Sequence, residues 1–462
     1  MPNMGSQSMP SPERPGAIER TRRWFGDRLS TPVQAALRNT GWLLLMNIGV
    51  GGISSIVAVF MIRILGPAAY GQLAFAVSLI VMGLAAAELG LDRIVIRQIV
   101  EEEQEQGAVL GSAALARGVA STIGIAVVVP AAVVMRPGEH TIWLLTLVAA
   151  PAVYSTCFDV LGSWHTARLT SRTVAITRLG SQLVASGLRV VALLAGLPLV
   201  YFAALFALEL LGAGIALLIR YQWSADHARW RARWTTIRKL LGESWPYAGS
   251  NLAVMTYLRI DQLMIGLYLG NKATGLYAAA AFITEVVNIL PMATTQSVIP
   301  GLLRLKTANY ERYLQRLQIF FDLITWIAIP VAMAVAVAGY FGLVLLFGDV
   351  YGDARWPLLV LCAGIAFTWH GIMLSPWVLA EQAQRAFLVG HVIASVTNVA
   401  LNALLIPIVS LGITGAAIAS VVAYGVAAYL VLAVVPKYRP VLKLVMKAYA
   451  APVRYLWKHL RR

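Results

Sequence analysis

Charge is scarce in this chain. Of its 462 residues 13% are Asp, Glu, Lys or Arg and 59% are hydrophobic, with a mean hydropathy of +0.73. A soluble domain carries roughly 25% charged residues, so the composition excludes an ordinary soluble fold and points to a membrane protein. Cysteine is scarcer still. Cys157 and Cys362 both lie in apolar stretches, which excludes a disulfide framework and leaves buried packing as their role. No cluster of His, Cys, Asp and Glu has metal-ligand spacing, so no metal site is expected. Also missing is any nucleophile constellation, and no turn on the basic-poor side is longer than "FGDVYGDAR". A membrane glycan polymerase or ligase needs an extramembrane domain for its chemistry, so the chain reads as a non-enzyme. No short apolar core with a small-residue cleavage site precedes Trp42, and no removable signal peptide is expected.

What is abundant is apolar sequence in lengths of ~20 residues, the length that spans a bilayer as a helix. Such segments start near Trp42, Gln72, Ser112, Thr141, Thr173 and Leu199, and again near Tyr247, Leu276, Leu317, Trp356, Ala386 and Gly412. The expectation is an all-α integral membrane protein with twelve spans. The short turns "GPAAYG", "RPGEH", "AGLPL", "GNKATG", "FGDVYGDAR" and "PIVSLGI" each follow an odd-numbered span. Basic residues then orient it. Of the 37 Lys and Arg, 31 fall at one end, Arg63, Arg136, Lys272 and Arg355 at the other, and Arg189 and Arg259 within spans. By the positive-inside rule the rich end is cytoplasmic and holds both termini, in a multi-pass protein of the cytoplasmic (inner) membrane.

This divides the chain into a basic lead (1–40), a six-helix bundle (41–220), a basic linker (221–245), a second bundle (246–436) and a basic tail (437–462). Lys443 and Lys447 share a helical face, so the tail reads as an amphipathic helix on anionic membrane lipids. The "RWRARW" run at 229–234 reads as a loop with Trp at headgroup level, and no nucleic-acid partner is expected.

The bundles repeat. "LGPAAYGQLAFAVSL" (65–79) aligns with "LGNKATGLYAAAAFI" (269–283) at an offset of 204 residues. Six spans preserve orientation, so these are parallel repeats about an axis along the membrane normal, a plan that commonly holds a central midplane site.

Five charges lie deep, counting ~1.5 Å per residue from the span ends: Arg189, Glu209, Arg259, Asp261 and Glu285. Each costs roughly 2.5–3.5 kcal/mol at the bilayer centre on insertion scales, so each must face protein or water. Arg259 and Glu285 fall at similar depth, as do Arg189 and Glu209, which reads as two ion pairs. Asp261 stands two residues from Arg259, on another side of the helix, and is the unpaired acid. Asp261 or Glu285 could take a proton or Na⁺ in a coupling cycle; no other cofactor is expected. Arg63 and Arg93 lie nearer the ends, and cationic groups facing a cavity would suit a phosphate-bearing substrate. His370 reads as a core histidine, and Asn398 and Asn402, four apart, as polar contacts between helices.

The stretches "RILGPAAYGQLAFAVSL", "AELGLDRIVIRQI", "RIDQLMIGLYLGNKATGLYAAA", "LFGDVYGDA" and "NVALNALLIPIVSLGITGAAIAS" resemble the Wzx-type polysaccharide flippases. These belong to the multidrug/oligosaccharidyl-lipid/polysaccharide exporter superfamily. The resemblance runs from about residue 38 to 436 and rests on the order of its loose motifs. It implies a V-shaped pair of six-helix bundles, with spans one, two, seven and eight around a cationic cavity. It also implies an undecaprenyl-diphosphate-linked oligosaccharide as substrate, moved to the outer leaflet for lipopolysaccharide, O-antigen or exopolysaccharide synthesis, with a glycan polymerase and export machinery as partners. By that resemblance Arg63, Arg259 and Arg93 would bind the diphosphate, and Asp261, in the family's "D-x-x-x-I-G" pattern, would couple the cycle. Twelve spans differ from the fourteen of the lipid II flippases. A cation-coupled drug or metabolite exporter is the alternative, and it would show a cavity dominated by acids and aromatics.

Overall fold

Two glycines define the architecture. In a computed structural model describing residues 31–224 and 227–451, Gly66 (φ 73°, ψ 168°) and Gly270 (φ 84°, ψ −173°) break two long helices, Thr31–Ala87 and Trp234–Val286. Their φ values lie where a Cβ is strained, so glycine lets each helix turn back on itself without a loop. Among the described residues nine helical stretches are long and apolar enough to cross a membrane. Breaking two of them at Gly66 and Gly270 gives eleven. Ser171–Leu194, made less apolar by Arg172, Arg178 and Arg189, is the twelfth.

The spans follow in order. Spans one and two are Thr31–Ala87; span three is Gln106–Met135; span four runs through His140–Ala149, Ala150–Tyr154 and Ser155–Ala167; spans five and six are Ser171–Leu194 and Leu199–Gln222. Spans seven and eight are Trp234–Val286, continued by Ile289–Ala308; spans nine to twelve are Tyr310–Phe347, Arg355–Ala380, Gln384–Leu405 and Gly412–Val434. The first helix starts at Thr31, ahead of the expected bundle boundary at 41.

Each half has its own core. Leu73, Phe75, Leu79, Val153 and Phe202 pack in the first half, and Phe321, Leu343, Leu358 and Trp369 in the second. Ala278 to Ala281 of span eight and Ala416, Ala417, Ala419 and Ala423 of span twelve are buried, small residues that let helix backbones approach. Met333, Val337, Phe341 and Leu345 make an exposed stripe along span nine, as Val119, Ile123 and Val127 do along span three. Apolar stripes of this length on a monomer are lipid-facing surface.

The 204-residue offset reappears in three dimensions. A Cβ at Gly71 would sit 1.9 Å from the Asn271 carbonyl oxygen, and one at Gly275 would sit 1.9 Å from that of Pro67. Residues 71 and 275, like 67 and 271, are 204 apart, so the two turns interlock by the reciprocal contact of a two-fold relation. Tyr351 Oη donates to the Ile62 carbonyl (2.7 Å) and Arg136 Nη1 to that of Gly266. Residues 62 and 266 are again 204 apart. The repeat read from two glycine turns is a repeat of contacts.

This turn end is closed by polar groups from both halves. Arg136 also donates to Glu139 (2.8 Å) and Asn271 (2.8 Å), and Asn271 donates to Glu139 (3.2 Å). Glu139 lies between spans three and four, and the Arg136 hydrogen bond holds its carboxyl below the ordinary range, with Asn271 and Gln72 helping. A depressed pKa makes a contribution that is full above the ordinary carboxylate value and lost as pH falls through the depressed one. Acid will therefore loosen this end. Spin labels at Ala68 and Lys272, in a chain without Cys157 and Cys362, will give a broader distance distribution at pH 3 than at pH 7. Glu139→Gln will be broad at both. Identical narrow distributions at both pH values in the parent would refute the latch.

The linker expected over 221–245 is not loose. Arg231 N donates to Gly107 O (3.0 Å), Arg233 N to Ser112 Oγ (3.0 Å), and Tyr221 Oη exchanges hydrogen bonds with Ala228 (2.9 and 3.0 Å). Trp230 packs partly buried against Tyr221. In the tail, Arg439–Tyr449 is amphipathic, but its apolar face is buried in protein. Gln318 and Trp326 of span nine donate to Leu444 O and Ala448 O, while Lys443 and Lys447 stay exposed. The rest of the expected tail, 452–462, and the lead up to residue 30 lie outside the described residues.

Candidate functional site

A cavity of about 310 Å³ lies between the halves. Spans one and two supply Ser54, Met61, Tyr70 and Val77 to its wall; spans seven and eight supply Arg259, Gln262, Phe282 and Glu285. Spans five and six contribute Arg189, Phe202 and Glu209. Ser78 donates to Gln262 (2.7 Å), a direct polar contact between the halves.

The long cationic side chain of Arg259 reaches the cavity because span seven passes through its wall. There it meets Glu285 in a fork, Nη1 to Oε1 at 3.2 Å and Nη2 to Oε2 at 3.1 Å. Opposite, Arg189 Nη2 lies 2.6 Å from Glu209 Oε2. The side chains of Arg259 and Glu285 are 27% and 38% exposed, against 10% and 17% for Arg189 and Glu209. The first pair is the more open of the two. Arg259 Nε is buried with no hydrogen-bond partner.

Two arginines and two glutamates line this cavity, so the electropositive chamber implied by the family resemblance is corrected: as folded, the chamber is formally neutral. Arg63 is a second correction. It is not on the cavity wall. Its Nη1 donates to the carbonyls of Leu345 (3.2 Å) and Leu346 (3.4 Å), capping the end of span nine on the turn side. Arg93 does not reach the central cavity either; it stands over the Tyr247 ring, 5.5 Å from its centroid, at a second cavity toward the basic end.

Asp261 faces away from Arg259, as two positions on a helix require. It is 1% exposed, and the central cavity does not include it. Its Oδ1 accepts from Asn402 Nδ2 (2.7 Å), and its Oδ2 from Tyr277 Oη (2.8 Å) and Ser420 Oγ. Asn398 Oδ1 accepts from Asn402 (3.1 Å). The network ties spans seven, eight, eleven and twelve around one carboxylate. It also leaves Asn402 Oδ1 and Asn398 Nδ2 without partners, spare polar groups at a buried acid. His370 is a fully buried core residue, bonded to Thr325 (2.9 Å) and Tyr429 (2.6 Å).

Sequence reasoning missed the turn-end latch. In the sequence Arg136 stands out only as one of four cations at the basic-poor end, and nothing local marks Glu139 or Asn271. The 204 offset was the available signal, since it makes the turns after spans one and seven equivalent. Arg117 was counted as a basic-end cation but is fully buried, donating to Glu88 O (3.1 Å), Thr156 O (3.1 Å) and Asp92 (2.9 Å).

Twelve spans in two equivalent halves around a midplane cavity define an all-α membrane transporter fold. A model of the family described as polysaccharide biosynthesis protein matches residues 36–306, more than half of the chain. The chain belongs to that family. It is 26% identical over 209 residues to the probable flippase AglR of Haloferax volcanii, an alignment covering 42% of this chain and 41% of that one. The chain thus matches less than half the length of that relative. In fold it resembles an inward closed structure of the lipid II flippase MurJ (TM-score 0.68, 14% identity, covering 89% of this chain and 92% of that one). It also resembles a MOP superfamily transporter from Pyrococcus furiosus (TM-score 0.66, 13% identity, 92% and 99%). An inward-facing multidrug resistance MATE family transporter is similar as well (TM-score 0.62, 16% identity, 89% and 95%). At such identities these three speak for the fold alone.

Proposed function

We propose that this protein is a flippase that moves a diphosphate-linked oligosaccharide on a polyprenyl lipid from the cytoplasmic to the outer leaflet by alternating access. The carrying observation is the Arg259 guanidinium, held forward into a cavity between two equivalent halves of a polysaccharide biosynthesis family member. A guanidinium fork matches phosphate oxygens as well as it matches a carboxylate. Arg259 binds the diphosphate when Glu285 lets go. In this reading the basic end is cytoplasmic, and the Arg136 latch seals the outer side. Asp261, in its ring of donors, takes the coupling H⁺ or Na⁺ and changes how spans seven, eleven and twelve pack. Undecaprenyl diphosphate, an inner-membrane location and service to a polymerase and export machinery complete the reading.

The test is outer-leaflet exposure of lipid-linked glycan. Cells lacking the protein will accumulate the precursor on the inner leaflet. Arg259→Ala and the isosteric Asp261→Asn will fail to restore export while reaching the membrane folded. Full export without the protein, or with Arg259→Ala, ends the proposal. A second reading, a cation-coupled exporter of small cationic molecules, is favoured by the neutral cavity and its aromatic wall of Tyr70, Phe202 and Phe282. It predicts saturable uptake of a lipophilic cation into inverted vesicles, which the flippase will not show.

A further inference from the structure

A second cavity, of about 490 Å³, lies apart from the central one. It lies toward the basic end, walled by spans seven, ten, eleven and twelve of the second half and rimmed by Glu88, Asp92 and Arg93 of the first. Its volume falls within the roughly 300–1,000 Å³ of small-molecule sites. Nothing in the central ion-pair chemistry uses it.

Its charged groups are already engaged. Glu88 accepts from Asn251 Nδ2 (2.6 Å), Asp92 from Arg117 and Ser163 (2.9 and 3.1 Å), and Arg93 stands over Tyr247. Ser250 and His391 bond each other at 2.7 Å. What is not engaged is a set of phenols. Among the described residues the hydroxyls of Tyr247, Tyr257 and Tyr424, all on this wall, have no hydrogen-bond partner. Tyr257 is only 9% exposed, and its ring meets that of Tyr424 edge-on, centroids 5.9 Å apart. Tyr247 and Tyr424 are half-buried and the three hydroxyls open to the cavity, so one wall presents three phenols free to bond whatever enters. Phe367 and Phe387 add apolar faces.

We infer that this cavity binds a glycosyl unit. A pyranose ring offers an apolar C–H face to an aromatic ring and hydroxyls, each donor and acceptor, around its edge. That is the complement of aromatic walls carrying free phenols. A lipophilic cation would use the ring faces and leave the three hydroxyls without a partner. The site also sits where the proposed substrate would put its sugars. Leu258 faces this cavity and Arg259 the central one, neighbours on span seven opening to different sides of one helix. A diphosphate on Arg259 carries its attached sugars past span seven into the larger cavity. The inference rests on the flippase reading.

The test uses the full chain in lipid nanodiscs and saturation-transfer NMR with N-acetylglucosamine, galactose and rhamnose, with pyrophosphate binding followed separately. At least one sugar will bind the parent, and Tyr257→Phe/Tyr424→Phe, which keeps both rings and the fold, will weaken it by about fivefold or more, as expected for two lost hydrogen bonds. No sugar binding, or binding indifferent to the loss of both hydroxyls, overturns the inference. Pyrophosphate binding that Arg259→Ala abolishes reports on the flippase reading by itself, so the two can fail separately.

Discussion

Glu285→Gln will bind inorganic pyrophosphate about tenfold or more tightly than the parent chain, and Arg259→Gln will not bind it measurably. The two residues form one forked pair, with Nη1 and Nη2 each within 3.2 Å of a carboxylate oxygen. If the pair only pins spans seven and eight, the two substitutions remove the same contact. They should then lower stability alike and leave anion binding unchanged. If the pair is a binding site held closed by an internal carboxylate, the substitutions act with opposite sign. Gln at 285 still accepts one hydrogen bond from the guanidinium but no longer competes as an anion, so phosphate displaces it easily. A hydrogen bond to a charged group is worth ~1.5–3 kcal/mol, which sets the tenfold scale. Both residues retain some exposure, so neither substitution strands a fully buried charge, and both variants should fold. Calorimetric titration with pyrophosphate, beside thermal unfolding of each variant, decides it. Parallel loss of stability with unaltered affinity would reduce Arg259 to a structural residue.

The same variant carries a consequence for turnover. A site that holds its anion without competition releases it slowly, so Glu285→Gln should bind better and export worse. An internal carboxylate that releases and recaptures the guanidinium is a way for one arginine both to hold an anion and to let it go.

Much of this was legible in the sequence because membranes restrict the choices. Backbone groups in lipid must be satisfied within a helix, so apolar length translates directly into spans, and the twelve segments were readable from hydropathy. Charge placement added the end-to-end asymmetry. The depth of the buried charges also paired Arg259 with Glu285 and Arg189 with Glu209, because depth is a linear function of position along a span. Direction around the helix was not equally readable. Arg63 lies near the turn end of span one and points to the end of span nine, and only knowledge of which neighbour lies beside span one could reveal that. Asp261 was correctly set apart from Arg259, yet its partners Tyr277, Asn402 and Ser420 come from three other spans. Packing between spans distant in sequence leaves no local signature.

Gly71→Ala and Gly275→Ala will each free the turn end, and the two together will do little more than either alone. A methyl at 71 would sit 1.9 Å from the Asn271 carbonyl oxygen and 2.7 Å from the Gly275 nitrogen; a methyl at 275 would meet the Pro67 oxygen and carbonyl carbon at 1.9 and 2.7 Å. These are backbone atoms, which no rotamer change can move, so the turns must separate. Overpacking of this kind costs ~1–3 kcal/mol, enough to shift a two-state closure by about tenfold. The two clashes lie at one contact related by the 204-residue repeat, so one separation relieves both, and the effects should be far from additive. Thr274, fully buried beside this contact, is a suitable reporter once changed to Cys in a chain without Cys157 and Cys362. An impermeant maleimide should label that cysteine about tenfold faster in each single variant, at nearly equal rates, and no more than slightly faster in the double. Labelling as slow as in the parent would mean that the turns do not close this end. Equal single effects that multiply in the double would mean that they open independently, and the two halves would then not share one seam.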